Sequence, residues 1–256
     1  MGGRSMTGAL AACQFEPVVG DPETNYDRMD EVAGRLDDDV ELAVFPELCV
    51  TGYDLDVAAE DATPVPSEAT DRLVALADRH DLHLVAGVPE RADGGLYNSL
   101  VLVDGSGVQA TYRKQFLWGD ETSTFDAGTE PVVAETPVGR VGMLVCYDLN
   151  FPEAALDYAR RECDVLAVSA AWRTAFVDDW RLLLRERALD GTCYAVGANH
   201  VGDQQGREHA GTSLVAGPKG TILDVASDSD DAAVAHATEE ALRTARERNP
   251  VLETRR

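Results

Sequence analysis

Lysine is almost missing from this chain of 256 residues: only Lys114 and Lys219 occur, and Lys and Arg together number 22 against 46 Asp and Glu. The resulting net charge of -24 repels nucleic acid and anionic membrane surfaces, both of which are bound through positive charge, so neither is expected as a partner. Long apolar runs are missing as well. No stretch approaches the roughly 18 apolar residues that a spanning helix needs. The opening MGGRSMTGALAACQF lacks the basic stretch, apolar core and cleavage site of an export signal, so a cytoplasmic location is expected. Finally, no C-x-x-C pair joins Cys13, Cys49, Cys146, Cys163 and Cys193, which argues against both a disulfide framework and a zinc site and leaves reduced thiols. His80 and His83 form the only close histidine pair, at a helix-to-strand junction where such pairs are usually structural; no metal and no cofactor is expected.

What is present is a patterned, core-forming chain. A hydrophobic content of 45% is too high for a disordered acidic polymer, and adaptation to high salt accounts better for the excess of carboxylates. Short apolar runs at 9–15, 41–45, 82–88, 141–147, 164–170 and 193–198 read as buried strands. Between them, 22–37, 66–80, 152–161 and 177–190 carry apolar residues at helical spacing, bounded by Pro, Gly or Asp. The segments 96–103 and 108–113 around DGSG, and 212–216 and 220–225 around GPKG, read as hairpins, so the sheets are mixed in direction. The class is α/β, in one domain over 1–256. Residues 1–6 join no pattern and are expected to be disordered or a cloning remnant, and the acidic run 228–231 reads as a solvated loop.

Three segments place a reactive side chain at the end of a predicted strand, where α/β folds build their sites. In FPELCVTGY (45–53), Glu47 follows an apolar strand and a proline; desolvation there raises a carboxylate toward the range useful for proton transfer, although a capping or surface glutamate has the same local look. In TYRKQFLWGDETSTFDAG (111–128), Lys114 closes a strand before an aromatic loop, either as an oxyanion stabiliser or as a snorkelling strand-end lysine. In VGMLVCYDLNFPEAA (141–155), an apolar strand delivers Cys146 to a bend before a helix that opens on Pro152 and Glu153. Such a bend exposes a thiol, whereas the other four cysteines read as small buried hydrophobes.

Taken together, these segments resemble the nitrilase superfamily of carbon-nitrogen hydrolases, which carries a glutamate after F/L-P, a lysine in Y-x-K and a cysteine in C-Y-D or C-W-E, in that order. The resemblance extends to AACQFEPVVGDPETN (11–25), RERALDGTCYAVGANHVG (185–202), GTSLVAGPKGTIL (211–223) and RERNPVLETRR (246–256). It implies a four-layer αββα sandwich of the nitrilase type, and a homodimer or higher homo-oligomer built by stacking sandwiches. It also implies hydrolysis of a small-molecule amide through a thioester, with Cys146 as nucleophile, Glu47 as proton carrier, and Lys114 with the backbone N-H of Tyr147 at the oxyanion. The family's second glutamate falls on Glu121, with an orienting role; Tyr53 and Trp172 are expected as pocket walls.

Three positions depart from the family pattern. Asn150 replaces a frequent arginine, Asp190 a frequent glutamate, and Cys49 a bulky apolar residue. Narrower alternatives are hydrolysis of nitriles, which C-Y-D disfavours against C-W-E, and hydrolysis of N-carbamoyl amines. From other classes come a Cys-His hydrolase recruiting His200 or His209, and a non-catalytic dimeric scaffold, against which the intact Glu, Lys and Cys set speaks. The family's lipid acyl transfer is excluded by the lack of spanning helices.

The acidity generates a direct test. Screening weakens repulsion among the excess carboxylates, so the thermal midpoint should rise from about 0.1 M to 3 M KCl; a flat or falling midpoint removes the high-salt reading.

Overall fold

The computed structural model describes residues 6, 8–227 and 229–250. The expectation for residues 1–5 and the end of the tail, 251–256, lie outside the described residues, as does Asp228 of the acidic run; Met6, by contrast, packs against the core.

In chain order, β1 (Ala9–Gln14) leads through α1 (Pro22–Ala33) to β2 (Val40–Val44), and α2 (Leu55–Asp61) and α3 (Glu68–His80) follow. An antiparallel run then forms from β3 (His83–Ala92), β4 (Gly95–Asp104) and β5 (Gly107–Arg113). The middle of the chain holds α4 (Glu121–Thr124), β6 (Val133–Thr136), β7 (Gly139–Val145), a tight turn over Cys146–Asn150, α5 (Pro152–Arg160), β8 (Val165–Ala170), α6 (Val177–Gly191) and β9 (Tyr194–Asn199). It closes with β10 (Val201–Gln204), β11 (Arg207–Ala210), β12 (Leu214–Ala216), β13 (Ile222–Val225), β14 (Asp231–His236) and α7 (Glu239–Arg248).

Two six-stranded mixed sheets result, ordered β14-β1-β2-β3-β4-β5 and β13-β12-β9-β8-β7-β6, with β10 and β11 as a separate ribbon. The period-2 geometry of β1 shows how they stack. Ala9, Ala11 and Cys13 face α1 and α3, packing with Met29, Leu73 and Leu76, while Leu10 and Ala12 point into the core shared with the second sheet. On the far side of that second sheet, α5 and α6 contribute Tyr158, Trp180 and Leu184. The layers therefore run helix, sheet, sheet, helix, as the four-layer reading expects. α1 and α3 form where the sequence signals them: Asp21 accepts from Thr24 N-H to cap α1, and α3 is capped at Ser67 and stops at Asp81, whose φ of 52° cannot continue it.

Several local expectations need correction. The strand expected at 141–147 ends at Val145, because Cys146 takes a φ of 45° and turns the chain. β3 and β4 join in a hairpin at Asp93 and Gly94, both with positive φ, which the sequence reading leaves unassigned although D-G is a strong turn pair. The acidic run is only partly a solvated loop, since Asp231 opens β14, pairs in register with Gln14 and accepts from Ser227 N-H. α2, α4 and α7, too short or too polar to show a clear apolar stripe, were not anticipated.

One glycine decides how β2 ends. A Cβ on Gly87 would stand 2.2 Å from the backbone nitrogen of Leu48, so only glycine lets β3 pass this close behind the Glu47 peptide. Leu48 itself has a φ of 45°. The chain after β2 is thus bent sharply against a neighbouring strand, with Glu47 at the bend.

Candidate active site

The carboxyl ends of β2, β5, β7 and β8 meet at one end of the sandwich and bring Glu47, Lys114, Cys146 and Ala171 together. Lys114 is held at its own backbone, donating to Asn98 O (2.9 Å) and accepting from Gly128 N-H (2.8 Å). Its side chain is buried, as are those of Glu47, Glu121 and Asn98. The ammonium donates to Glu47 Oε1 at 2.7 Å and to Glu121 Oε1 at 2.8 Å. Asn98 Nδ2 reaches the same two oxygens at 2.8 and 3.2 Å. The remaining carboxylate oxygens are satisfied by the main chain: Glu47 Oε2 by Ala171 N-H (2.9 Å) and Glu121 Oε2 by Trp118 N-H (2.7 Å), while Tyr53 OH donates to Glu121 Oε1 at 2.9 Å. Burial by itself would favour a neutral lysine, but two flanking carboxylates overcome it, and the Lys114 pKa is pushed well above its ordinary value.

Cys146 begins the turn after β7, half-buried and in left-handed backbone geometry. Burial raises its thiol pKa well above the ordinary value, Glu47 raises it further, and Lys114 only partly opposes them. These surroundings favour the thiol over the thiolate. The turn is fixed by Asp148, fully buried, which accepts from Val145 N-H (2.9 Å), Phe116 N-H (2.9 Å) and Tyr112 OH (2.7 Å). Burial lifts its carboxyl to about 6. From the other side, buried Arg187 on α6 donates to Leu149 O at 2.8 Å and pairs with Asp190 at 3.5 Å, so the shorter acid at that departing position still reaches the arginine.

A cavity of about 230 Å³ opens over Cys146, lined by Trp118, Tyr147, Trp172 and Phe176, with Asn150, Arg173 and Asp179 as its polar members. Trp172 is therefore where a pocket wall was expected. Tyr53 is not among the lining residues: its hydroxyl is spent on Glu121 and its N-H on Gln204, which holds it behind the carboxylates. Asn150, in the turn after Cys146, and Asp179, on α6, line the cavity without having been expected there. Cys49 is closed off, fully buried with its Sγ 3.7 Å from Gly87 O and its pKa pushed up to about 12 by burial. His80 and His83 engage Asp30 (2.8 Å) and Asp104 (3.8 Å), respectively.

His200 does reach this region, but not as a base for the thiol. Both ring nitrogens are engaged, Nε2 by the Glu47 carbonyl and Nδ1 by Gln204. His209 packs beside it at 5.3 Å between ring centroids. Sequence reasoning missed Asn98, Asp148 and Arg187 and weighed His200 only as a base for the thiol; all four share one trait, a partner far away in sequence. Asp148, Arg187 and His200 stood inside segments that carry the family resemblance, and Asn98 did not.

Comparison with known proteins places these observations in context. The family described as carbon-nitrogen hydrolase matches residues 9–246. A 2-oxoglutaramate amidase of Bacillus subtilis (strain 168) is 32% identical over 222 residues, covering 85% of this chain and 86% of its own. The Saccharomyces cerevisiae protein Nit3, of branch 10 of the nitrilase superfamily, superposes with a TM-score of 0.90 at 26% identity, over 98% of this chain and 97% of its own. An E41L variant of the Nesterenkonia sp. AN1 amidase, with a TM-score of 0.83 and 26% identity over 98% and 97% of the two chains, carries the acetamide moiety of fluoroacetamide on its active-site cysteine.

The two histidines predict an acid sensitivity. Burial lowers His200 from 6.5 to about 4 and His209 from 6.5 to about 3. Below pH 6.5 the unfolded chain takes up protons that the folded chain refuses, so stability is lost as pH falls, by up to about 1.4 kcal/mol per pH unit for each histidine. Asp148, raised to about 6, acts in the opposite sense, because its folded form is protonated first as pH falls. Replacing His209 with glutamine isolates one histidine: the loss of unfolding free energy between pH 7 and 5.5 should shrink by roughly 1 kcal/mol in denaturant titrations. An unchanged loss would mean that His209 titrates normally.

Proposed function

The chain belongs to the carbon-nitrogen hydrolase family and is an amide-hydrolysing enzyme of the nitrilase superfamily, and from that premise we propose that Cys146 is the nucleophile of a two-step acyl transfer to water. Because its pKa is raised, the thiol must lose its proton as it attacks, and Glu47 takes that proton. Sulfur bonds to the amide carbon, and the oxygen becomes an anion facing the Lys114 ammonium and the Tyr147 N-H. Glu47 returns its proton to the nitrogen, the carbon-nitrogen bond breaks, and ammonia or an amine leaves a thioester on Cys146. Water, deprotonated by Glu47, then releases the carboxylic acid and the thiol. Glu121 keeps Lys114 in place from the opposite side.

The observation that carries this reading is the buried ammonium at 2.7 and 2.8 Å from two carboxylates, close enough to Cys146 to act on its charge. Among the cavity-lining residues Arg173 is the only cation. That suits an amide whose other end is a carboxylate, in keeping with the name of the B. subtilis relative. The aromatic lining and small volume favour compact substrates over peptides.

Self-association belongs to the same reading. Leu182 and Leu189 on α6 and Ile222, Leu223 and Val225 on β13 are exposed, and Arg185 Nε ties α6 to the turn before β13 through Gly220 O at 2.9 Å. An apolar surface of this kind on an otherwise acidic molecule supports a homodimer.

Three experiments test these statements. Cys146→Ala should fold normally and release no ammonia from ω-amides or aliphatic amides. Lys114→Met should slow single-turnover acylation by about 100-fold or more, and Lys114→Arg should fail too, since a planar guanidinium cannot occupy the same point between two carboxylates. Near-normal acylation in a folded arginine variant refutes the oxyanion role. For the assembly, sedimentation should give a dimer that Leu189→Glu converts to monomer; a monomeric parent protein sinks the dimer.

A further inference from the structure

The hydrogen bonds behind Glu47 can be assigned without ambiguity. The main-chain N-H of Tyr53 can only donate, so the group facing it at 2.8 Å is the carbonyl oxygen of Gln204. The NH2 of Gln204 therefore points at His200 Nδ1, which must be the unprotonated nitrogen. His200 then carries its proton on Nε2 and donates it to the Glu47 carbonyl. All of these groups are buried. Among the described residues no main-chain N-H donates to that carbonyl.

We propose that His200 is a positioning residue for Glu47: a neutral imidazole, oriented by Gln204 and Tyr53, that holds the Glu47 peptide so that its carboxylate stays between Lys114 and Ala171 N-H. The inference rests on the reading of Glu47 as proton carrier. The need for such a strut is local. Leu48, the next residue, has a φ of 45°, and β3 presses on the same peptide through Gly87. A small rotation of that peptide would swing the carboxylate, whose Oε1 holds the ammonium at 2.7 Å and whose Oε2 accepts from Ala171 at 2.9 Å. Tyr53 extends the restraint, since its hydroxyl holds Glu121, the other carboxylate on Lys114. One buried circuit thus ties the backbone of the first carboxylate to the side chain of the second.

The test measures kcat and KM for ammonia release, with unfolding midpoints, in His200→Leu, His200→Gln, Gln204→Met and Glu47→Gln. Loss of the hydrogen bond in the leucine variant should lower kcat about tenfold or more while KM moves less than about threefold. Glutamine keeps a neutral donor at the Nε2 position and should restore kcat to within about threefold of the parent. A folded leucine variant with parental kcat overturns the proposal, and so does a glutamine variant as impaired as leucine. Should the leucine variant not fold, Gln204→Met decides: it leaves the imidazole in place but unoriented, so kcat should drop at least about threefold at constant KM, and an unchanged kcat overturns the proposal. Glu47→Gln separates the two readings. If it stays active, the proton-carrier role fails; if it is inactive while His200→Leu is fully active, only the His200 role fails.

Discussion

The architecture of the site follows from one buried arrangement, an ammonium between two carboxylates. Removing three charges from water is costly, and their mutual attraction repays that cost only when the geometry is held and every spare lone pair is met. Lys114 meets Oε1 of Glu47 and both oxygens of Glu121; Asn98 and Tyr53 add donors to the Oε1 atoms, and the N-H groups of Ala171 and Trp118 meet the Oε2 atoms. Each of these donors comes from a different part of the chain, so the charge cluster cannot form until both sheets are in place.

The same requirement explains why the reactive groups sit at strand ends. Parallel strands such as β2, β7 and β8 end on one side of the sandwich, and their last residues leave the sheet still anchored by it. Glu47 and Cys146 each occur at a sharp bend, with positive φ at Leu48 and at Cys146 itself. Such backbone is unfavourable for these residue types and persists because the surroundings over-determine it. Gly87 and His200 hold the first bend, Asp148 and Arg187 the second. Rigidity here has a chemical consequence: a thiol with a raised pKa transfers its proton only to a base held at the right place.

The acidic surface and the buried cluster also divide the charge of the protein into two roles. Outside, excess carboxylates are solvated and screened by salt. Inside, the carboxylates of Glu47 and Glu121 are committed to one of only two lysines in the chain, and the cavity beside them presents a single cation, Arg173. Scarcity of positive charge makes its placement informative.

The α/β class, the mixed sheets, the main helices and the three segments that bring Glu47, Lys114 and Cys146 together were legible in the sequence. Strand periodicity is local, and a glutamate, a lysine and a cysteine each follow an apolar run in recognisable short contexts. Hairpins at Asp93-Gly94 and Gln205-Gly206 and the short helices escaped because their signals span only a few residues. What no pattern along the chain could reveal was which groups restrain the reactive ones. Asn98 stands 51 residues from Glu47 and His200 stands 153 from it, yet each bonds to it directly. The placement of Tyr53 behind Glu121 rather than in the cavity wall was decided in the same way, by a hydroxyl finding its acceptor across the fold. The sequence by itself determined which side chains are candidates for the chemistry, since candidacy depends on residue type and local context; the tertiary structure decided their geometry, protonation and support, because those depend on burial and on partners that only folding brings together.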